Sequence, residues 1–206
     1  MSEIPGWFDW ADLYDAFVER AEDGASVVEC GTFFGKSAHY LASKILASGK
    51  RITFDTWDNW YGVPPEYALG YPGWTGSEVL REQTTRATLA GLPVTLRTGD
   101  AIDAAKEYED ASLDLVFLDD DHSADHVSAE CAAWWAKVKH GGLLAGHDVD
   151  WPSEREGIER FSVAQRVPIL EVSEHCWVFV KGTYQPTQAD LAFKHRAYGH
   201  GKRHRY

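Results

Sequence analysis

Cysteine and methionine are scarce in this chain, positive charge is outnumbered, and no long apolar run occurs anywhere. The three cysteines, Cys30, Cys131 and Cys176, are widely spaced and odd in number, which argues against a disulfide framework and against a cysteine zinc cluster. No stretch approaches the ~20 apolar residues needed to span a bilayer. The opening Met-Ser-Glu-Ile-Pro-Gly-Trp has neither the basic nor the apolar region of a signal peptide, so a cytoplasmic protein with no membrane partner is expected. Lys and Arg number 20 against 32 Asp and Glu, a formal charge of −12, which disfavours nucleic acid as a partner and favours a divalent cation. The imbalance is uneven. Beyond Gly182, Lys194, Arg196, Lys202, Arg203 and Arg205 face only Asp190, so 182–206 reads as a basic tail on a still more acidic body.

What is present is informative. The 206 residues suffice for one core, read as a single domain over 1–181. The stretch Ser26-Val-Val-Glu-Cys-Gly-Thr-Phe-Phe-Gly-Lys-Ser37 reads as a short buried strand, a turn at Gly31 and Gly35, and a helix starting at Ser37 with Leu41, Ile45 and Leu46 on one face. Such a unit makes a ready site for a polar ligand. Glu29, at the carboxyl end of the strand, points an acceptor into the crevice, where it repels phosphate and suits an amine or hydroxyl donor. A competing pattern overlaps it. Gly35-Lys36-Ser37 fits the end of G-x-x-x-x-G-K-[ST], with Cys30 where the first glycine belongs, so a phosphate-loop NTPase or kinase is the alternative reading.

The rest of the chain alternates strand and helix signals. Residues 7–22, with Trp7, Trp10, Leu13, Phe17 and Val18 among acids, suit an amphipathic helix. A second strand, 51–55, is closed by Asp55, an acid about 20 residues beyond the first turn, where doubly wound nucleotide folds bind ribose hydroxyls. Residues 57–76 crowd Trp57, Trp60, Tyr61, Tyr67, Tyr71 and Trp74 among Pro and Gly. They read as an aromatic loop insertion, either a substrate lid or a mini-core against the first helix. A helix over 76–89 and a third strand over 93–97 follow. Asp100 then either accepts from a ligand or caps the helix 101–108.

The apolar run 113–118 suits the centre of a parallel sheet and empties into Asp119-Asp120-Asp121-His122. Three successive acids repel one another, which favours a site where a cation or donors compensate them. A helix from Ser123 to the Gly141-Gly142 pair and a fifth strand over 143–145 then deliver His147 and Asp148 to the edge that holds Asp119 and His122, because parallel neighbours end on the same side. A helix over 153–166 and a hairpin of 168–172 with 176–180 complete the expected fold. That fold is a Rossmann-like, doubly wound, mostly parallel seven-stranded α/β sheet with an antiparallel last strand and helices on both faces.

The run Glu29 to Ser37 resembles the first motif of class I S-adenosylmethionine-dependent methyltransferases, and Thr98-Gly99-Asp100-Ala101 resembles their motif after the third strand. Asp119-x-x-His122 with Gly142…His147-Asp148 resembles the subgroup of macrocin-type sugar O-methyltransferases and cephalosporin-hydroxylase-like proteins. The resemblance spans roughly Val27 to Asp148 and implies S-adenosylmethionine as cofactor. It implies a cradle of Glu29, Gly31, Thr32, Phe33, Gly35 and Ser37, of Asp55, Thr56 and Trp57, of Gly99, Asp100 and Ala101 near the adenine, and of Asp119. It also implies a divalent metal, magnesium or manganese, held by Asp119, His147 and Asp148, with His122 as general base. Two positions depart from that subgroup. His147 stands where it has an acid, which tilts metal preference toward manganese, iron or zinc, and Asp120 stands where a small residue is usual. The implied reaction is O-methylation of a small-molecule acceptor, a sugar, phenol or natural-product hydroxyl. A non-catalytic cofactor-binding protein is a third reading, and a homo-oligomer is left open.

Overall fold

The computed structural model describes residues 4–61 and 77–182; the aromatic stretch 62–76 and the basic tail 183–206 lie outside the described residues. After the helix α1 (Ala11–Arg20), the strand β1 (Ser26–Cys30) is buried because Val27 packs into the core on one face of the sheet and Val28 and Cys30 into the core on the other. The helix α2 (Lys36–Ser48) buries Leu41 and Ile45 and leaves Leu46 exposed; Gly49, left-handed, closes it. There follow β2 (Thr53–Asp58), α3 (Glu78–Thr88), β3 (Thr95–Thr98), α4 (Ala101–Ala104) running into a 3-10 turn, and β4 (Leu113–Leu118). The chain ends its described part with α5 (Ala124–Lys137), β5 (Val138–Gly146), α6 (Pro152–Gln165), β6 (Leu170–Glu171) and β7 (Trp177–Val180).

The seven strands lie in the order β3-β2-β1-β4-β5-β7-β6, parallel except for β7, which runs antiparallel to both its neighbours. The chain travels outward from β1 to β3, then returns to β4 on the other side of β1. The strand order therefore reverses between β1 and β4, the place at whose carboxyl ends open α/β sheets bind ligands. All three cysteines are buried and free. No helix among the described residues is long and apolar enough to cross a membrane.

Several boundaries differ from those expected. β2 runs on to Asp58 because Thr56 and Trp57 pair with Glu29 and Cys30, so Asp55 is not its last residue and Trp57 belongs to the sheet rather than to the aromatic loop. The helix α5 stops at Lys137, well before Gly141-Gly142. Val138 is fully buried opposite Leu113, and Lys181 Nζ donates to the freed carbonyls of Trp135, Ala136 and Val138 at 2.6, 3.3 and 2.9 Å. Since Val138 opposes Leu113 and Leu143 opposes Leu115, residues 139–142 bulge out against Asp114, and the glycine pair lies within β5. The N-terminal helix is shorter than expected, since Trp10 stands at its N-cap and residues 7–9 precede it.

Gly31 holds the β1 turn against the start of the β4 exit. Its φ is +90°, and a Cβ built there would lie 1.8 Å from the carbonyl oxygen of Asp119. Gly31→Ala therefore has to push β1 and β4 apart at their tips. We expect it to lower stability by about 3 kcal/mol, read as a shift of the urea midpoint; an unchanged midpoint would show that the tips are not in this contact.

Candidate active site at the carboxyl ends of the strands

Glu29 is fully buried at the tip of β1. Its carboxylate accepts from the Tyr14 hydroxyl at 2.6 Å and from the Thr56 hydroxyl at 3.1 Å; Thr32, 2.6 Å from Thr56, then donates to Thr56. Burial pushes its pKa from 4.5 up to about 7, against the opposing pull of the Tyr14, Ser37 and Thr56 hydroxyls. The turn itself consumes its own amides. Gly31 and Thr32 donate to the Trp57 carbonyl, Phe33 to Asp58 Oδ2 at 2.7 Å, and Gly35 to the Thr32 carbonyl. A phosphate loop needs those amides aimed at an anion, whereas here they are spent within the fold beside two carboxylates. Lys36 Nζ donates to the carbonyl of Gly6 in the N-terminal segment.

On the β2–β3 side, Asp55 Oδ2 accepts from the Tyr108 hydroxyl at 2.7 Å and from Arg97 Nε at 3.2 Å. Trp57 Nε1 donates to Tyr108, and the Trp57 ring packs where Gly99 leaves room, a Cβ there meeting it at 3.1 Å. Asp100 is the N-cap of α4, its carboxylate accepting from Asp103 N at 3.0 Å with Ala101 buried behind it, which settles the structural half of its expected role. Asp58, the true end of β2, accepts from Phe33 N and Trp60 N and lies 3.8 Å from the buried Arg81. Burial raises its pKa, and the Arg81 charge opposes that rise.

The tips of β4 and β5 meet as expected. One ligating atom each from Asp119, His122 and Asp148 lies within 4.8 Å of the other two. His147 Nδ1 is 3.2 Å from Asp148 and 3.9 Å from Asp119, while its Nε2 faces Asp9 at 3.0 Å. His122 presents Nε2 to Asp148 at 3.4 Å and Nδ1 to Glu154 at 3.5 Å, with its ring 5.0 Å from that of Trp151. Glu154 is buried at the start of α6 and also accepts from Trp177 Nε1 at 3.0 Å. Asp148 sits at φ +55°, strain for a non-glycine residue that the surrounding contacts must hold in place.

Charge compensation dominates this corner. Burial raises Asp119 to about 7, with the His147 and His122 charges opposing the shift. Burial pulls the two imidazoles down, yet the carboxylates outweigh it. Glu154, Asp119 and Asp148 carry His122 to about 9, and Asp148, Asp9 and Asp119 carry His147 to about 10. At neutral pH both rings are therefore imidazolium. Three acids of the site escaped sequence reading: Asp9, Asp58 and Glu154. The first belongs to a segment before the first helix, the second lies beyond the expected strand end, and the third is one acid among several in α6. Only the long-range contacts single them out.

Glu29 makes the electrostatics measurable. Its folded pKa is raised above the unfolded value, so the protein binds more protons folded than unfolded between 4.5 and about 7. Its contribution to stability is fully present below 4.5 and is lost as pH rises through about 7, by about 3 kcal/mol. Denaturant unfolding of the wild type minus that of Glu29→Gln should fall by this amount across the window; a flat difference would mean Glu29 is not desolvated.

Residues 28–149 match the family described as a methyltransferase domain. Among solved structures, the O-methyltransferase NovP aligns at a TM-score of 0.63 with 14% identity, over 84% of this chain and 80% of its own. An O-methyltransferase from Bacillus cereus, solved in complex with SAH, aligns at 0.57 with 20% identity, over 86% and 84%. The calicheamicin methyltransferase CalS11 aligns at 0.58 with 13% identity, over 84% and 78%. A search of curated proteins finds no match. The family match runs from Val28 in β1 to Val149 just past the acidic tip of β5, more than half of the chain, and this protein belongs to the methyltransferase-domain family.

Proposed function

We propose that the protein is an S-adenosylmethionine-dependent O-methyltransferase acting on a small-molecule hydroxyl, with a divalent metal held at the β4–β5 tips. The observation that carries this is the convergence of Asp119, His122 and Asp148 within 4.8 Å at the tips of β4 and β5, on the sheet edge where β1 ends just past Glu29. Membership of the methyltransferase family supports the cofactor, as does the SAH found in the Bacillus cereus relative.

When bound, the cofactor would supply a methyl group activated by its sulfonium charge. Glu29 places negative charge, steadied by Tyr14 and Thr56, at the turn where the cofactor's cationic end would lie. Asp55, with Tyr108 and Arg97 ordering its carboxylate, is the proposed ribose contact, and the Trp57 ring over Gly99 forms an apolar wall toward the adenine. Two carboxylates and an imidazole, Asp119, Asp148 and His147, suit manganese or iron at least as well as magnesium. Such an ion would act there as a Lewis acid on the acceptor hydroxyl. His122 is the proposed base. Glu154 holds its Nδ1, which leaves Nε2, on the Asp148 side, to take the acceptor's proton. The ring keeps its own proton up to about pH 9 while carboxylates surround it, so it serves as a base at neutral pH only once positive charge shares those carboxylates.

Calorimetric titration should show binding of S-adenosylhomocysteine and none of ATP; the reverse result sinks the reading. In a radiolabelled methyl-transfer screen over sugar, phenolic and natural-product hydroxyls, EDTA should abolish turnover. His122→Ala should lower kcat by about 10²–10⁴-fold while leaving S-adenosylhomocysteine affinity intact. Full turnover by that variant would remove His122 from the mechanism.

A further inference from the structure

Next to the proposed active site, a second group of side chains includes two buried polar atoms with no hydrogen-bond partner among the described residues. Asp120 follows β4, and His126 and Glu130 stand one helical turn apart on the same face of α5. One ligating atom of each lies within 4.8 Å of the other two. Glu130 is 1% exposed, and its Oε1 has no hydrogen-bond partner among the described residues. The same is true of the buried Nε2 of His126, which lies 3.6 Å from Asp120 Oδ2. That separation is too long for a hydrogen bond. It fits two ligands of one ion, since donors held about 2.0–2.2 Å from a cation sit about 3–3.5 Å from each other.

We propose that Asp120, His126 and Glu130 form a binding site for one divalent transition-metal ion, distinct from the Asp119, His147 and Asp148 set. A neutral imidazole with two carboxylates selects zinc, manganese or cobalt over calcium or magnesium. Burial and the adjacent Asp120 charge push the Glu130 carboxyl well above its ordinary range, and Glu154 and Asp100 add negative potential. The ligands join the segment leaving β4 to the body of α5. An ion there ties down the loop whose other residues, Asp119 and His122, do the proposed chemistry, so its role is to position that loop.

The test uses zinc alone, titrated calorimetrically into the full chain carrying Asp148→Asn, which disables the first set. One equivalent of zinc should bind. Adding either Glu130→Gln or His126→Gln should weaken it at least tenfold. Glu130→Gln replaces a buried acid with a neutral isostere, so its melting temperature without zinc should match or exceed that of its parent, and only the zinc-induced rise should vanish. The proposal is overturned if Asp148→Asn binds no zinc, or if binding survives both substitutions. It is equally overturned if binding disappears with His147→Gln instead, which would place the ion on Asp9, His147 and Cys176. None of these readouts depends on methyl transfer or on S-adenosylhomocysteine, so failure of the proposed function leaves the zinc result interpretable.

Discussion

Carboxylates carried by buried strand ends to positions that water reaches poorly or not at all set the terms for the rest of this structure. Glu29 and Asp119 sit at the tips of β1 and β4, the two strands between which the chain reverses its direction of travel across the sheet. A desolvated carboxylate is costly unless donors or positive charge meet it. Both groups accordingly rise to about 7, and the side chains around them are arranged to limit that cost.

The two tips are compensated differently, and the difference matters for chemistry. Around Glu29 the compensation is neutral: hydroxyls of Tyr14, Thr56 and Thr32 link α1, β1, β2 and the turn into one hydrogen-bonded unit. That leaves a carboxylate for a cationic ligand, while the amides of Gly31, Thr32, Phe33 and Gly35 are spent within the fold and not on phosphate. Around Asp119 the compensation is ionic, from His122 and His147, and each imidazole is in turn anchored from outside the tip, by Glu154 and by Asp9. Imidazolium can be exchanged for a bound cation as the charge balance changes; a hydroxyl cannot. The strained backbone at Asp148 is consistent with a residue held for its side-chain position rather than for local comfort.

Much of this was legible in the residue order, and particular elements show why. The run 113–118 is apolar but for Asp114 and is bounded by polar residues, so β4 falls where the residue pattern puts it, and the acids after it must emerge at the sheet edge. Because parallel strands share a direction, the grouping of Asp119 and His122 with His147 and Asp148 follows from topology as soon as β4 and β5 are neighbours. The end of β2 was misplaced because Thr56 and Trp57 are extended by pairing with β1, a contact that local propensity does not encode. The end of α5 was misplaced for a similar reason: glycine is a good helix stop, but a buried Val138 and the distant Lys181 ended the helix first.

Residue order alone was enough for the alternating fold, the turn after β1 and the set of acids and histidines at the strand tips, since these depend on short-range periodicity and backbone geometry. The three-dimensional arrangement was needed to bring Asp9 to His147, Glu154 and Trp151 to His122, and Tyr108 and Arg97 to Asp55. It was needed, too, to bury Glu130 Oε1 and His126 Nε2 without a hydrogen-bond partner among the described residues. Those facts rest on desolvation and on contacts between residues far apart in the chain. Both are properties of the packed molecule, and no window of neighbouring residues contains them.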